Sequence, residues 1–299
     1  MEVALKKIMK VKANIYWPGY SIGQNTIYSD TIVNINVELV DEIADLAIFV
    51  DYGWPEHAIN TPEKLGELVK SLPHKHKVLV QLEPQPQMID FYNWGKANED
   101  LFDLIFVHYP SWHEHGTGNN SEKYRYYDSC GDTWIIEKDR KIYTKSKNIT
   151  AIWSNKNWLP GHNMRHELRN LLVTNPGKVD LNNPIEKIDG LRDYRFEIVI
   201  DNEDSFVTTE KFMDCVLTGT IPIIWSTSDH PQWKEYDTSG MIFFQTVEEV
   251  YAILNSGKLN KEYYDLCNKA IIHNFNIASK KLGLFDILYE SGLKELCND

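Results

Sequence analysis

Short apolar runs of strand length alternate with helix-like segments along most of this chain, and this alternation restricts its fold more than any other feature. "DLAIFVD" and "KVLVQLEP" are predicted strands. Between them, "NTPEKLGELVKSL" is a predicted helix that begins at Asn60 or Thr61 and has Pro62 in its first turn. "FDLIFVHYP" is a further predicted strand. Strands that alternate with helices are typical of the α/β class.

A second series of the same kind makes up the rest of the chain. Predicted strands "NITAIWSN", "RFEIVID", "TIPIIW" and "MIFFQ" alternate with predicted helices "PGHNMRHELRNLL", "TTEKFMDCVLTG" and "TVEEVYAIL", before a largely helical tail. Residues 113–147 are polar and lack a regular period, which predicts a long loop with a hairpin in "DTWIIEKDRKIYTK". We therefore predict two α/β domains, residues 1–145 and 146–299.

Composition and charge exclude several classes of protein. The 299 residues are 42% hydrophobic and 25% charged, as in soluble globular proteins. A net charge of −12 argues against nucleic-acid binding through phosphate contacts, although it permits a local basic pocket. The first residues, "MEVALKKIMKVKANIYW", contain several lysines and no unbroken apolar core, so we expect no signal peptide or membrane anchor. The four cysteines lack metal or redox spacing, and we expect free, mostly buried thiols.

The segment "DNEDSFVTTEKFMDCVLTGTIPIIW" predicts a loop, a helix and a strand, in a position where α/β proteins bind ligands. Lys211 falls in the first helical turn, where a cation is unfavourable unless an anion is bound nearby. A bound diphosphate would account for Lys211, and the Glu210 carboxylate could accept hydrogen bonds from ribose hydroxyls. Two alternatives remain open from the residues alone: a solvated helix start, and a metal site formed by the carboxylates of "DNED".

The stretch "YRFEIVIDNEDSFVTTEKFMDCVLTGTIPIIW" resembles the donor-site signature of the α1,3-fucosyltransferases, the family-10 glycosyltransferases. That signature is Y-K-F-x-x-x-x-E-N, a short loop, Y-x-T-E-K, an apolar helix and G-T-x-P-V/I-x-W/L. Upstream, "IWSNKNWLPGHNMRHELRNLL" resembles the family's S-N-x followed by an arginine on a helix. The resemblance implies a GT-B fold, in which two Rossmann-like domains face each other across a cleft. The first domain would bind the acceptor and the second the nucleotide sugar.

The resemblance also implies a donor site and a reaction. Arg165 would bind the donor's diphosphate, and Lys211 would help to neutralise it without a metal ion. The donor would be GDP-fucose, and transfer would proceed with inversion to a hydroxyl of a glycan. The residues implied to contact the donor are Ser154, Asn155, Arg165, Asn202, Glu210 and Lys211.

Several positions depart from the family pattern or are unusual in other ways. Val207 replaces the tyrosine before T-E-K, so a ring contact to the donor is lost or is supplied by Phe206. Asp201 replaces the usual glutamate, and Ser226 replaces a glycine. Glu197 lies inside an apolar strand, where we expect a partly exposed side chain, with contact to guanine as the alternative. Elsewhere in this segment, we expect Glu203 and Asp204 to face solvent.

Glu83 is the predicted general base of the reaction. It follows a buried-looking strand in "VLVQLEPQP", and the family carries its base in a comparable strand-end segment. We expect partial burial to raise the pKa of this carboxyl, and an exposed turn glutamate is the alternative. The "HKH" and "HEH" motifs lack a third spaced ligand and are weak metal candidates. Aromatic side chains that could stack on an acceptor sugar are Trp17, Tyr20, Trp54, Tyr109 and Trp112.

The sequence therefore favours an inverting, metal-independent fucosyltransferase. Animal members of the family are anchored in the Golgi membrane. Because we expect no anchor here, we expect a microbial or viral enzyme in the cytoplasm. A transferase of the same fold with another nucleotide sugar is the nearest alternative. A non-catalytic sugar- or nucleotide-binding protein of the same fold is the second.

Overall fold

The computed structural model describes residues 10–17, 36–51, 59–83, 85–109, 121–174, 178–204 and 206–297. These residues form two compact units. The first unit contains the described residues up to Tyr127 together with those from Gly283 onward, and the second contains Asp128–Leu282. The boundary predicted near residue 145 therefore falls inside the second unit.

The first unit is a parallel sheet with helices packed against it. Its strands are β1 (Val11–Tyr16), β2 (Val37–Leu39), β3 (Leu46–Val50), β4 (His76–Val80), β5 (Leu104–Val107) and β6 (Tyr124–Tyr126), and its first helices are α1 (Pro62–Ser71) and α2 (Gln85–Ala97). The strands pair in the order β2-β1-β3-β4-β5-β6.

Local sequence explains why α1 begins and packs as it does. Thr61 caps the helix with its hydroxyl, which accepts a hydrogen bond from the Lys64 amide at 3.3 Å. Pro62 occupies the first turn, where its missing N–H costs nothing. Leu65 and Val69 lie four residues apart on one face and pack into the core of the unit.

The second unit is also a parallel sheet with helices. Its strands are β7 (Lys147–Ile152), β8 (Asp180–Asn182), β9 (Tyr194–Val199), β10 (Ile221–Trp225) and β11 (Ile242–Phe244), and its helices are α3 (Pro160–Thr174), α4 (Glu210–Val216), α5 (Val247–Asn255), α6 (Lys261–Leu266) and α7 (Asn268–Ala278). The strands pair in the order β11-β10-β9-β7-β8. The core has two parts, one that contains the α3 residues Leu168 and Leu172 and one that contains the α4 residues Phe212 and Val216.

The strand order identifies where a ligand should bind in this unit. Counted in chain order, the second sheet has the order 2-1-3-4-5, in which the first and third strands are neighbours. Successive connections reverse direction at this pair, β7 and β9, and doubly wound sheets bind ligands beyond the carboxyl ends of such strands. The predicted α/β class with two Rossmann-like domains is thus confirmed. That the domains face each other across a cleft stays a prediction.

The hairpin predicted in "DTWIIEKDRKIYTK" is wrong. Residues 132–146, all of which the structure describes, contain a 3-10 turn at Glu137–Asp139 and no strand. The Thr133 hydroxyl and the Trp134 amide both donate to the Asp214 carboxylate of α4, at 2.6 and 2.8 Å. The segment therefore bonds to a helix instead of pairing with itself. Part of the predicted loop is the short strand β6, which lies beside β5.

The end of the chain belongs to the first unit, not to the second domain in which we predicted it. Helix α8 (Leu284–Glu290) buries Leu284, Phe285 and Leu288. The Asp286 carboxylate accepts a hydrogen bond from the Asn36 amide, just before β2, at 2.7 Å. These contacts fix the C-terminal helix to the edge of the first sheet.

Two further expectations concern membranes and thiols. Among the described residues, no helix combines the length and apolar character that crossing a bilayer requires. Cys215 and Cys267 are buried free thiols, as expected, and Cys130 is a partly exposed one.

Candidate functional site

A cavity of about 270 Å³ lies at the carboxyl ends of β7 and β9 in the second unit. Its position is the one that the strand order predicts for a ligand. Five of the six predicted donor contacts line it, namely Ser154, Arg165, Asn202, Glu210 and Lys211. Asn155, the sixth, is exposed and lies outside this lining.

Gly161 joins the two loops that form the cavity. It lies in the first turn of α3, and its amide donates to the Asn202 carbonyl at 2.9 Å. A Cβ atom at this position would overlap the carbonyl oxygen of Asp201. The close approach of the two backbones therefore requires glycine, which brings the start of α3 against the loop after β9.

We predict that Gly161→Ala destabilises the second unit by about 1–3 kcal/mol, because the added methyl must push the two loops apart. Urea denaturation measures this change. Asn163→Ala is the matched control, since Asn163 is exposed on the same helix and should change stability by less than about 0.5 kcal/mol. Equal stabilities of the two variants would contradict the tight contact.

Arg165 is held in place by both loops. Its guanidinium donates to the Ser154 hydroxyl at 3.1 Å and to the Asn202 side-chain oxygen at 3.0 Å, and its Nε donates to the Gly161 carbonyl at 3.3 Å. The residue is only 8% exposed. Because a guanidinium keeps its charge even when buried, the cavity contains a fixed cation with a planar set of donors.

Lys211 lies between two carboxylates in the first turn of α4. Its ammonium is 2.8 Å from Glu210 Oε1 and 3.4 Å from Asp201 Oδ1. Burial alone would lower the pKa of Lys211, but Glu210 and Asp201 outweigh it and raise that pKa above its ordinary value. Burial would likewise raise the pKa of Glu210, yet Lys211 lowers it. Both side chains are thus charged at neutral pH.

The "DNED" segment is structurally different from an open carboxylate cluster. Asp201 accepts a hydrogen bond from the Thr209 hydroxyl at 2.6 Å in addition to its contact with Lys211. Glu203 is buried, and Asp204 is half-buried with its carboxylate 3.6 Å from the His230 ring. The expectation that both residues face solvent is therefore wrong for Glu203, whereas Asp204 is partly exposed.

Glu197 also differs from its expected partly exposed position. It is 3% exposed, because β9 is a central strand that pairs with β7 on one side and with β10 on the other. The Cys215 thiol donates to its carboxylate at 2.7 Å. Burial raises the pKa of Glu197 to about 7, against the opposing effect of the Lys187 ammonium. Glu197 lines the cavity, so a titratable group lies at the site.

Lys187 is a site residue that sequence reasoning missed, and Asp214 is its buried partner. Lys187 lines the cavity, and its ammonium lies 3.6 Å from the Asp214 carboxylate. Burial raises the pKa of Asp214 to about 6, while Lys187 and the Thr133 hydroxyl oppose the change. An aspartate within the apolar run "FMDCV" was a signal available in the sequence, because a buried carboxylate needs a partner.

We predict that Glu197→Gln removes part of the pH dependence of stability. The pKa of this carboxyl is 4.5 ordinarily and about 7 when folded, so the folded chain retains a proton that the unfolded chain releases. The resulting stabilisation is complete below the ordinary pKa of 4.5 and is lost as pH rises through the folded-state pKa of about 7. Glutamine resembles the neutral carboxyl. The free energy of unfolding of the variant minus that of wild type should therefore be larger at about pH 8 than at about pH 5, by about 1–3 kcal/mol.

Urea denaturation at the two pH values measures this difference. Glu167→Gln, at an exposed position of α3, is the control and should show no such change between them. The same stability difference between Glu197→Gln and wild type at both pH values would show that Glu197 does not retain the proton.

Glu83, the predicted base, lies in the first unit just beyond β4. Its amide donates to Asp51 Oδ2 at 3.0 Å, and its carbonyl accepts from the Tyr92 hydroxyl at 3.1 Å. Its side chain is half-buried at the carboxyl edge of the sheet. The strand-end position is as predicted, and the role of Glu83 as a base stays a prediction.

Asp51 fixes the backbone that carries Glu83, and sequence reasoning assigned it no role. Its carboxylate accepts hydrogen bonds from the backbone amides of Leu82 and Glu83, each at 3.0 Å. The residue is 3% exposed. Its φ of 47° is in the left-handed region, which non-glycine residues adopt rarely and often at functional sites. His108 bonds to the Tyr92 hydroxyl at 2.7 Å, and burial lowers the pKa of His108 to about 3, so this imidazole is neutral.

The remaining candidates from the sequence are placed as follows. His74 of "HKH" bonds to the Ala44 carbonyl at 2.8 Å and to the Tyr16 hydroxyl at 2.9 Å, which is a structural role. The Tyr109 ring packs on the rings of Tyr92 and His108. "HEH" and the aromatic residues Tyr20, Trp54 and Trp112 lie outside the described residues. Across the described ranges, no group of three or more His, Cys, Asp or Glu side chains is placed to hold a metal ion.

Comparisons with known proteins give no family. No family model and no curated protein matches the chain. Among solved structures, TarM is 11% identical with a TM-score of 0.49, over 82% of this chain and 53% of TarM. HepE from Anabaena, in complex with UDP and glucose, is 11% identical with a TM-score of 0.49, over 86% of this chain and 78% of HepE. The glycotransferase of kitacinnamycin is 10% identical with a TM-score of 0.29, over 80% of this chain and 70% of the glycotransferase.

The chain spans about half the length of TarM, and every one of the TM-scores is below 0.5, a level that does not identify a family. The resemblance to the family-10 fucosyltransferases therefore stays a prediction.

Proposed function

We propose that this protein is a glycosyltransferase that binds a nucleoside diphosphate sugar in the cavity of the second unit. One observation carries the proposal: Arg165 and Lys211 line a single cavity beyond β7 and β9, together with Glu210. Two cations suit a diphosphate, and a carboxylate suits ribose hydroxyls. In a chain with a net charge of −12, this local set of cations favours a small anionic ligand.

The same contacts support separate roles for Lys211 and Glu210. The Lys211 ammonium has three N–H donors, so it can bond to a phosphate oxygen while it keeps its contact with Glu210. Glu210 then keeps a second carboxylate oxygen for a ribose hydroxyl. Arg165, already held by Ser154 and Asn202, would meet the diphosphate without having to reorganise.

The proposed reaction is transfer with inversion. The acceptor oxygen attacks the anomeric carbon of the sugar, and the bond from that carbon to the diphosphate oxygen breaks. The proton of the acceptor hydroxyl passes to a carboxylate, for which we propose Glu83. Arg165 and Lys211 would neutralise the charge that the diphosphate gains as it leaves, and we propose on this basis that no metal ion is needed.

We further propose GDP-fucose as the donor, because of the resemblance in "DNEDSFVTTEK". Val207 is the main departure from that pattern, since it is buried where the family has a tyrosine. Phe206 packs on His230 and lies outside the cavity lining, so we propose no ring contact between it and the donor. A transferase with a UDP-sugar is therefore the second candidate, and the HepE structure was determined with UDP and glucose.

Thermal stabilisation by GDP, UDP, ADP and GMP, each with and without EDTA, tests this proposal. We expect both GDP and GMP to raise the melting temperature, GDP by more, with no effect of EDTA, since the added phosphate meets Arg165 and Lys211. Selective stabilisation by UDP would contradict the GDP-fucose assignment and leave the transferase proposal standing. Loss of the effect in EDTA would favour a metal-dependent site at "DNED". No stabilisation by any nucleotide would contradict the function itself.

A further inference from the structure

An apolar groove of about 450 Å³ lies in the second unit beside the candidate site. It is formed by the segment 134–139 and by the chain between β8 and β9. Trp134 is 49% exposed and Ile185 is fully exposed, although both are large apolar side chains. Exposed apolar side chains that line a concave surface mark a binding site more often than isolated ones do.

The groove adjoins the cavity that contains Arg165 and Lys211. Ile152, the last residue of β7, and Lys187 line both of them. We therefore expect a ligand with its phosphates in the cavity to extend past Ile152 into the groove. This shared lining indicates which occupant the groove suits, because the next parts of a nucleoside diphosphate are its ribose and its base.

We infer that the groove holds the base of the nucleoside diphosphate whose phosphates bind at Arg165 and Lys211. The inference rests on the function proposed above and extends it to the part of the ligand that the phosphate contacts do not reach. A base is flat and has two apolar faces, so it can stack on an exposed indole. Trp134 supplies the indole, and Ile185 lies in the lining with it.

Apart from Lys187, whose ammonium lies 3.6 Å from the Asp214 carboxylate, the polar groups of the groove favour guanine over uracil. Two carboxylates line it, those of Asp139 and Glu186, and carboxylates only accept hydrogen bonds when ionised. The pairing edge of guanine presents two adjacent donors, the ring N–H and the exocyclic amine, which one carboxylate can receive together. Uracil presents a single N–H between two carbonyl oxygens, and those oxygens would face the carboxylates unfavourably.

Calorimetric titration with GDP, UDP and inorganic pyrophosphate, each in EDTA, tests this inference. We expect Trp134→Ala to weaken GDP binding by about 10-fold, the loss of one stacked base, and to leave pyrophosphate binding within about 2-fold. Trp134→Phe keeps an aromatic ring and should retain most of the affinity. Glu186→Gln should weaken GDP more than UDP, because only guanine offers the paired donors.

Val173→Ala is the matched control, because Val173 is 61% exposed on α3 and lies outside the lining of the groove. It should change none of the three affinities. If wild type binds GDP no more tightly than pyrophosphate, or if Trp134→Ala binds GDP as wild type does, the groove does not hold the base and the phosphate site still stands. If none of GDP, UDP and pyrophosphate binds, both the inference and the proposed function fail.

Discussion

Replacing Lys211 with glutamine is expected to weaken GDP binding by roughly 10- to 100-fold, the usual effect of losing a charge-assisted hydrogen bond. The Lys211 ammonium, in the first turn of α4, is one of the two cations that we assign to the diphosphate. The substitution also takes away the ammonium that lies 2.8 Å from Glu210 and 3.4 Å from Asp201, and these carboxylates then repel an incoming anion more strongly. Isothermal titration calorimetry with GDP in EDTA measures the loss.

Two further variants separate binding from folding in this experiment. Lys211→Arg keeps a cation between the two carboxylates and should lose less affinity than Lys211→Gln. Lys234→Gln removes an exposed lysine elsewhere in the second unit and should bind GDP as wild type does. Urea denaturation of each variant reports whether the unit remains folded. A folded Lys211→Gln variant with wild-type affinity would contradict the assignment of Lys211 to the diphosphate.

Replacing Glu83 with glutamine is expected to lower kcat by roughly 100- to 10,000-fold, the usual contribution of a general base. Glutamine keeps the size of the side chain and cannot take a proton from the acceptor. The affinity for GDP should stay within about 2-fold, because the donor contacts belong to the second unit. Steady-state turnover and GDP titration on the same preparation measure the two effects.

Glu67→Gln is the control for this substitution, since Glu67 is an exposed carboxylate of the same unit. It should leave kcat unchanged. A Glu83→Gln variant with normal turnover would remove Glu83 from the mechanism. A wild-type protein that binds GDP but turns over no donor would instead favour the non-catalytic binding protein.

Much of the architecture could be predicted because each half of the chain repeats one simple pattern. β3 and β5 are apolar at every position, since helices cover both faces of an inner parallel strand. The amphipathic pattern of α1 and the cap at Thr61 also appear in the structure as the sequence predicts them. These features depend on a segment and its nearest neighbours along the chain, which the sequence shows directly.

Features that depend on distant partners could not be predicted in the same way. The segment after Asp132 has the apolar alternation of a hairpin, yet Asp214, some eighty residues away, accepts its hydrogen bonds. Helix α8 continues a helical tail in the sequence, but its buried face packs in the first unit. In both cases the local pattern is satisfied by a partner that no local signal identifies.

The candidate site likewise combines features that the sequence predicts with features that depend on distant partners. The grouping of Arg165, Asn202 and Lys211 follows from the resemblance and from the strand order, which brings the ends of β7 and β9 together. The burial of Glu197 and the contribution of Lys187 do not follow from it. A single charged residue in an apolar strand predicts an exposed edge as readily as a buried site, and only its neighbours Cys215 and Lys187 decide between them.

Transfer of a sugar from GDP-fucose to a panel of glycan acceptors in EDTA, detected by mass spectrometry, tests the central proposal most directly. We predict a product one fucose heavier than its acceptor with wild type, roughly 100- to 10,000-fold slower formation with Glu83→Gln, and reduced formation with Lys211→Gln. Release of GDP should accompany the product in equal amount. If the protein binds GDP but forms no product with GDP-fucose or with UDP-sugars on any acceptor, the proposal that it is a glycosyltransferase is contradicted.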